Sequence, residues 1–171
     1  MIQKFVLTLI ILVMVHLSGF SQKSRIVKST NYPIVAEEGI SSITASENID
    51  LILIQDNPET VGVKVPESVM KKIKISLNAN KLFISSSSKS VNGERLPVYV
   101  WVNNLENLIL EGNAFATSTG VLNSEDLHIS AEAQSMVALK SKGKVWLDLP
   151  SNYQVFKGNG YYFVKAGEYK Y

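Results

Sequence analysis

The chain has 171 residues, with 17 basic and 15 acidic side chains, a formal net charge of +2 and no cysteine. So even a charge balance leaves no electrostatic footprint for nucleic acid or for an anionic membrane surface. Without a thiol there can be no disulfide, thiolate metal site, cysteine nucleophile or lipid-bearing cysteine.

Residues 1–21 read as a secretory leader. Lys4 is the positive start, Phe5 to Leu17 is apolar apart from Thr8 and His16, and Ser18-Gly19-Phe20-Ser21 puts small residues ahead of Gln22. The apolar run is too short for a comfortable membrane span. The expected product is exported to the periplasm or cell surface after cleavage near Ser21-Gln22. A segment at 22–33 then precedes a single domain at 34–171. No second long apolar run occurs, so the mature chain is not expected to span a bilayer.

Alternation, not helical periodicity, dominates the remainder of the chain. Ile49, Leu51 and Leu53 alternate with Asp50, Ile52 and Ile54, as in a strand partly buried on both faces. Val61, Val63 and Val65 form the next strand, stopped by Pro66. One short helical turn is predicted from Glu67 to Lys72. Ile73, Ile75 and Leu77 then alternate up to an Asn78-Ala79-Asn80 turn, and Leu82 with Ile84 begins the returning strand. Ser85 to Gly93 reads as a polar loop. Val98, Val100 and Val102 face opposite to Tyr99 and Trp101.

The second half carries a repeat of about nineteen residues, shrinking toward about sixteen. Leu108-Ile109-Leu110 recurs as Leu127-His128-Ile129, Val145-Trp146-Leu147 and Tyr161-Tyr162-Phe163, each followed by small or polar residues. One coil cannot bury its own apolar face, whereas stacked coils pair their strands in parallel over a continuous core. The expected fold is all-β: a short right-handed parallel β-helix or solenoid-like stack, with the first half as a sheet-like cap. The alternative is an antiparallel β-sandwich with hairpins at similar spacing.

Several segments in this order carry a resemblance. They are Ile49-Asp50-Leu51-Ile52-Leu53-Ile54-Gln55, Val61-Gly62-Val63-Lys64-Val65, Leu82-Phe83-Ile84, Val98-Tyr99-Val100-Trp101-Val102, and Leu105-Glu106-Asn107-Leu108 leading into Glu111-Gly112-Asn113-Ala114. From Ile34 onward the chain resembles the head GIN domain family of exported bacterial proteins, also called putative auto-transporter adhesins. The resemblance implies a β-helix-like fold and a cell-envelope setting, and it brings no functional residues with it. Ser46-Glu47-Asn48 stands where the family has a glycine-rich approach, and Ala131 and Ala133 replace corner glycines.

Little in the sequence points to catalysis, and no cofactor is expected. Once the leader is gone His128 is the lone histidine, so neither a multi-histidine metal site nor a conventional triad is expected. Glu37/Glu38, Glu125/Asp126 and Asp148 are the carboxylates available for glycoside chemistry, but adjacent strand residues point opposite ways. The sharper feature is aromatic. The middle residues of the aligned repeats, Ile109, His128, Trp146 and Tyr162, would stack as one outward column, with Tyr99 and Trp101 projecting elsewhere. Trp101, His128, Trp146 and Tyr162 are therefore the ligand-binding candidates, unless N-terminal strands or the tail with Tyr169 and Tyr171 cover them. The expected function is a non-enzymatic structural or adhesive module whose partner is an envelope glycan or another envelope protein. The alternative is an envelope carbohydrate-binding or polysaccharide-processing protein.

Overall fold

A computed structural model describes residues 39–56, 62–87 and 94–167. The leader at 1–21, the segment at 22–33, Glu37/Glu38, Val61, most of the polar loop before Gly93, and the tail with Tyr169 and Tyr171 lie outside the described residues.

The chain is all-β with mixed sheets. β1 (Ser42–Ser46), β2 (Ile49–Gln55) and β3 (Gly62–Lys64) precede one helical turn, α1 (Glu67–Met70), which starts directly after Pro66. β4 (Ile73–Asn78), β5 (Lys81–Ser86) and β6 (Leu96–Val102) complete the first half. β7 (Asn107–Glu111), β8 (Phe115–Leu122), β9 (Asp126–Ala131), β10 (Met136–Ser141), β11 (Lys144–Asp148), β12 (Tyr153–Gly158) and β13 (Tyr161–Ala166) make up the second.

These strands form a six-stranded sheet in the order β11-β9-β7-β1-β5-β4 and a seven-stranded sheet in the order β12-β13-β10-β8-β2-β6-β3. Alternation explains the division between core and surface. Ile43, Leu108, Leu110, Leu127 and Ile129 from one sheet meet Leu51, Leu53, Val98, Val100, Val137 and Leu139 from the other in a single buried cluster. Each such side chain contributes roughly 1.5–3 kcal/mol by leaving water, which is how a domain without disulfides holds together.

From β7 to β10 the chain switches sheet at each corner, and strands of the same sheet pair in parallel: β1 with β5 and β7, β7 with β9, β9 with β11, β2 with β6 and β8, β8 with β10. Antiparallel pairs are confined to the ends: β3–β6, β4–β5, β10–β13 and β12–β13. The interior is thus not that of an antiparallel sandwich. Nor does the first half sit apart as a cap, because β1 and β2 occupy the interior of the two sheets.

The repeat alignment needs two corrections. Leu108 stands opposite Ile129, not Leu127, so the first two repeats are offset by two residues. A two-residue slip preserves which side chains face the core, and alternation alone cannot detect it. The fourth repeat, Tyr161-Tyr162-Phe163, is not a further coil. It lies in the seven-stranded sheet as β13, antiparallel to both β10 and β12. Asn159 and Gly160 both have positive φ, 49° and 76°, forming the two-residue turn that folds β13 back.

The corners stack through their own polar contacts. The Asn48 backbone N–H donates to Asn113 Oδ1 at 2.6 Å, Asn113 Nδ2 donates to Asn48 Oδ1 at 2.5 Å, and Arg95 Nε donates to the Asn113 carbonyl at 2.8 Å. At the opposite corner Gln55 Oε1 accepts from the Asn123 N–H at 2.8 Å while its Nε2 donates to the Asn103 carbonyl at 3.0 Å. Gly143 packs so tightly on the preceding corner that a Cβ there would lie 2.1 Å from the Ser124 carbonyl oxygen.

Candidate functional site

With one face of each sheet given to the core, the outer faces carry whatever the protein presents to its surroundings. They differ in character. Across the six-stranded sheet, one register row reads Ser76, Phe83, Thr44, Ile109, Ser130, Asp148. The next reads Asn78, Lys81, Ser42, Asn107, His128, Trp146. This is a mostly polar wall.

The seven-stranded sheet has the opposite composition. One row runs Lys64, Tyr99, Ile52, Thr117, Ala138, Phe163, Phe156 across all seven strands. At a strand spacing of about 4.8 Å such a row is about 29 Å long. Pro97, Asp50, Phe115, Met136, Lys165 and Gln154 form the row beside it. Tyr99, Ile52, Phe115 and Met136 are partly exposed, while Phe163 and Phe156 are 38% and 54% exposed. This face is richer in aromatic and aliphatic side chains than the polar wall, with Thr117, Asp50, Lys165 and Gln154 interspersed among them.

Its electrostatics are local. The Arg95 guanidinium lies 5.6 Å from the centre of the Phe115 ring. Asp50 sits next to Phe115 in register, and its burial raises the carboxyl pKa above the ordinary value, with the Arg95 charge opposing that rise.

The expected column of Ile109, His128, Trp146 and Tyr162 does not form. His128 and Trp146 are brought together on the polar wall, in register and with their rings stacked at 6.0 Å between centroids. Lys144 Nζ stands 3.4 Å from the centre of the Trp146 ring, and Trp146 Nε1 donates to Asp126 Oδ1 at 3.0 Å. The indole is thus engaged by three neighbours of its own chain. Ile109 belongs to a different row, opposite Ser130. Tyr162 lies in the other sheet opposite buried Leu139, on the core-facing side, with Lys157 Nζ 5.5 Å from its ring centre. Trp101 stands on the outer face of the seven-stranded sheet, two residues along β6 from Tyr99 on the same side.

Sequence patterning thus finds the Tyr99–Trp101 corner of the apolar face and misses the rest. Ile52, Phe115 and the Phe156–Phe163 hairpin pair come onto one face only through register between distant segments. Among the described residues no three His, Cys, Asp or Glu side chains gather into a metal-binding group, and no helix is long and apolar enough to cross a membrane.

Known proteins resemble this arrangement. The family profile described as "Putative auto-transporter adhesin, head GIN domain" matches residues 40–149. The crystal structure of a putative adhesin from Parabacteroides merdae superposes with a TM-score of 0.51 at 23% identity, covering 65% of this chain and 48% of that one. A putative adhesin from Bacteroides fragilis superposes with a TM-score of 0.52 at 16% identity, covering 72% of this chain and 59% of that one. At such identities the likeness concerns the fold, and the chain spans about half the length of these relatives. No curated protein matches the sequence.

Proposed function

Since the chain belongs to the head GIN domain family of putative auto-transporter adhesins, we propose that it is an exported, non-enzymatic adhesive module of the cell envelope. In this reading the leader at 1–21 directs export, and the parallel interior acts as a short solenoid-like stack holding a rigid wall. The partner docks on the outer face of the seven-stranded sheet. The observation that carries the reading is the outward row Tyr99, Ile52, Thr117, Ala138, Phe163 and Phe156, apolar at every position but Thr117 and spread over neighbouring strands. A surface preorganised in this way loses little conformational freedom on binding.

Binding of the purified chain to isolated bacterial envelopes tests it. Ile52→Lys is expected to abolish retention, and Thr44→Lys, on the polar wall, to leave it intact. Equal retention of both variants would remove the apolar face from the function.

A second reading is supported by Tyr99 and Trp101, which stand on one side of one strand about 6.6–6.8 Å apart along it. Two adjacent aromatic faces suit stacking on sugar rings. Glycan-array binding lost in Trp101→Ala but kept in Trp146→Ala would make the partner a carbohydrate.

A further inference from the structure

Among the described residues β12 is a sheet edge with no strand beside it, and its geometry points to a second copy of this chain. Aligned through the β1–β2, β7–β8 and β9–β10 corners, the two sheets place β11 opposite β13. β12 is then left with no strand opposite it among the described residues. Val155 shares the core-facing side with buried Val164 and Val137, yet it is 40% exposed. Phe156 on the other side is 54% exposed, against Phe163 at 6.0 Å between ring centroids.

The other edges are blunted in familiar ways. β3 has three residues and carries Lys64. β4 carries Lys74 and comes directly after Lys71 and Lys72. β11 carries Lys144 and Asp148. β12 carries only Lys157, off centre, and it lies outside the family match, which ends at residue 149.

The hairpin geometry fixes which backbone groups this edge offers. A two-residue turn closes on a hydrogen-bonded pair, here Gly158 with Tyr161, and the pairs alternate from there. The Gly167 N–H bonded to the Asn152 carbonyl at 2.6 Å continues the same alternation. Tyr153, Val155 and Lys157 therefore direct their backbone groups away from β13. The Tyr153 N–H is already used by the Pro150 carbonyl at 3.1 Å, which leaves its carbonyl free to accept.

We propose that two chains join by antiparallel pairing of β12 with β12 about a two-fold axis, Val155 opposite the partner's Val155. This register uses all three outward-directed residues: the two Val155 backbones exchange hydrogen bonds, and each Lys157 N–H donates to the partner's Tyr153 carbonyl. Lys157 comes to lie opposite an aromatic ring instead of a second cation. The two seven-stranded sheets become one continuous sheet, with the Phe156–Phe163 pairs of both copies on the same outer face. An isologous contact of this kind closes at two copies.

Sedimentation equilibrium of the full mature chain over a concentration series tests the pairing. The expected result is a mass rising to twice the monomer, and a return to monomer in Val155→Lys with an unchanged circular dichroism spectrum. Because the chain has no cysteine, a single one reports position directly. Opposed hydrogen-bonded residues sit about 5.5 Å apart at Cα, within disulfide range. Val155→Cys is therefore expected to oxidise to a covalent dimer, whereas Lys74→Cys on the β4 edge is not. Monomer at every concentration, a dimer that survives Val155→Lys, or equal crosslinking at positions 74 and 155 would overturn the proposal. These are readings of mass, so they stand apart from whether the apolar face binds envelopes.

Discussion

The imidazole of His128 and the indole of Trp146 lie nearly parallel, 10° apart, on neighbouring strands in direct register. With Lys144 against the indole and Asp126 holding its N–H, Trp146 completes a four-residue surface cluster while staying 45% exposed. Trp146→Ala is expected to lower stability by about 1 kcal/mol through lost stacking and cation–π contact, and to leave envelope binding unchanged. Urea denaturation alongside the binding assay measures both. Lost binding at full stability would place Trp146 in the binding surface.

Asp50 gives the pH dependence. Burial raises its carboxyl pKa above the ordinary 3.8, the nearby Arg95 charge only opposing the change. The folded chain therefore holds that proton more tightly than the unfolded chain does. The stability it contributes is complete below pH 3.8 and is lost as pH climbs through the raised folded value. Asp50→Asn is expected to be more stable than the parent at neutral pH, and the difference should vanish in acid. Urea midpoints at neutral pH and at about pH 3, below the ordinary carboxylate range, read the sign. A less stable Asn variant at neutral pH would mean that the pairing with Arg95 outweighs burial.

The corner pair predicts a larger loss. Asn48 is 5% exposed, and both its N–H and its side-chain oxygen bond to Asn113. Asn113→Leu strands those two groups, at about 1–3 kcal/mol each. Hydrogen exchange at the Asn48 amide should accelerate together with the fall in stability. Unchanged exchange there would show that water replaces the amide without loss.

Gly143 gives a steric test. Its missing side chain makes room for the Ser124 and Glu125 carbonyls, 2.1 and 2.2 Å from where a Cβ would stand. Gly143→Ala is expected to cost at least about 1–3 kcal/mol, the usual range for overpacking. Gly120→Ala, with nothing within 4 Å, is expected to be close to neutral. Thermal melts of the two variants side by side separate close packing from a general effect of adding a methyl group.

Much of the fold is written in alternation. Val98, Val100 and Val102 against Tyr99 and Trp101 declare a strand with one face in the core, and the structure buries the valines as expected. Alternation has a period of two, so it says which face a residue takes and leaves open which residue it meets. This is why the repeat sets Leu108 against Leu127 while the sheet sets it against Ile129. The final hairpin does have a local signal. Asn159-Gly160 between two apolar strands is a strong two-residue turn, and as a hairpin it keeps Tyr162 out of the coil column. The apolar face has no such signal beyond Tyr99 and Trp101, because the meeting of Ile52 with Thr117, or of Ala138 with Phe163, exists only once distant strands have paired.

The central placement of β1 and β2 bears on how the chain assembles. Both strands find their hydrogen-bonding partners only in β5 to β8, with nothing nearby in sequence to zip against. Such long loop closures are slow to form. The earliest strands of the domain must therefore wait, unpaired, until the middle of the polypeptide has been made. For that interval the core cannot close, because Ile43, Leu51 and Leu53 still lack the neighbouring strands they are buried with.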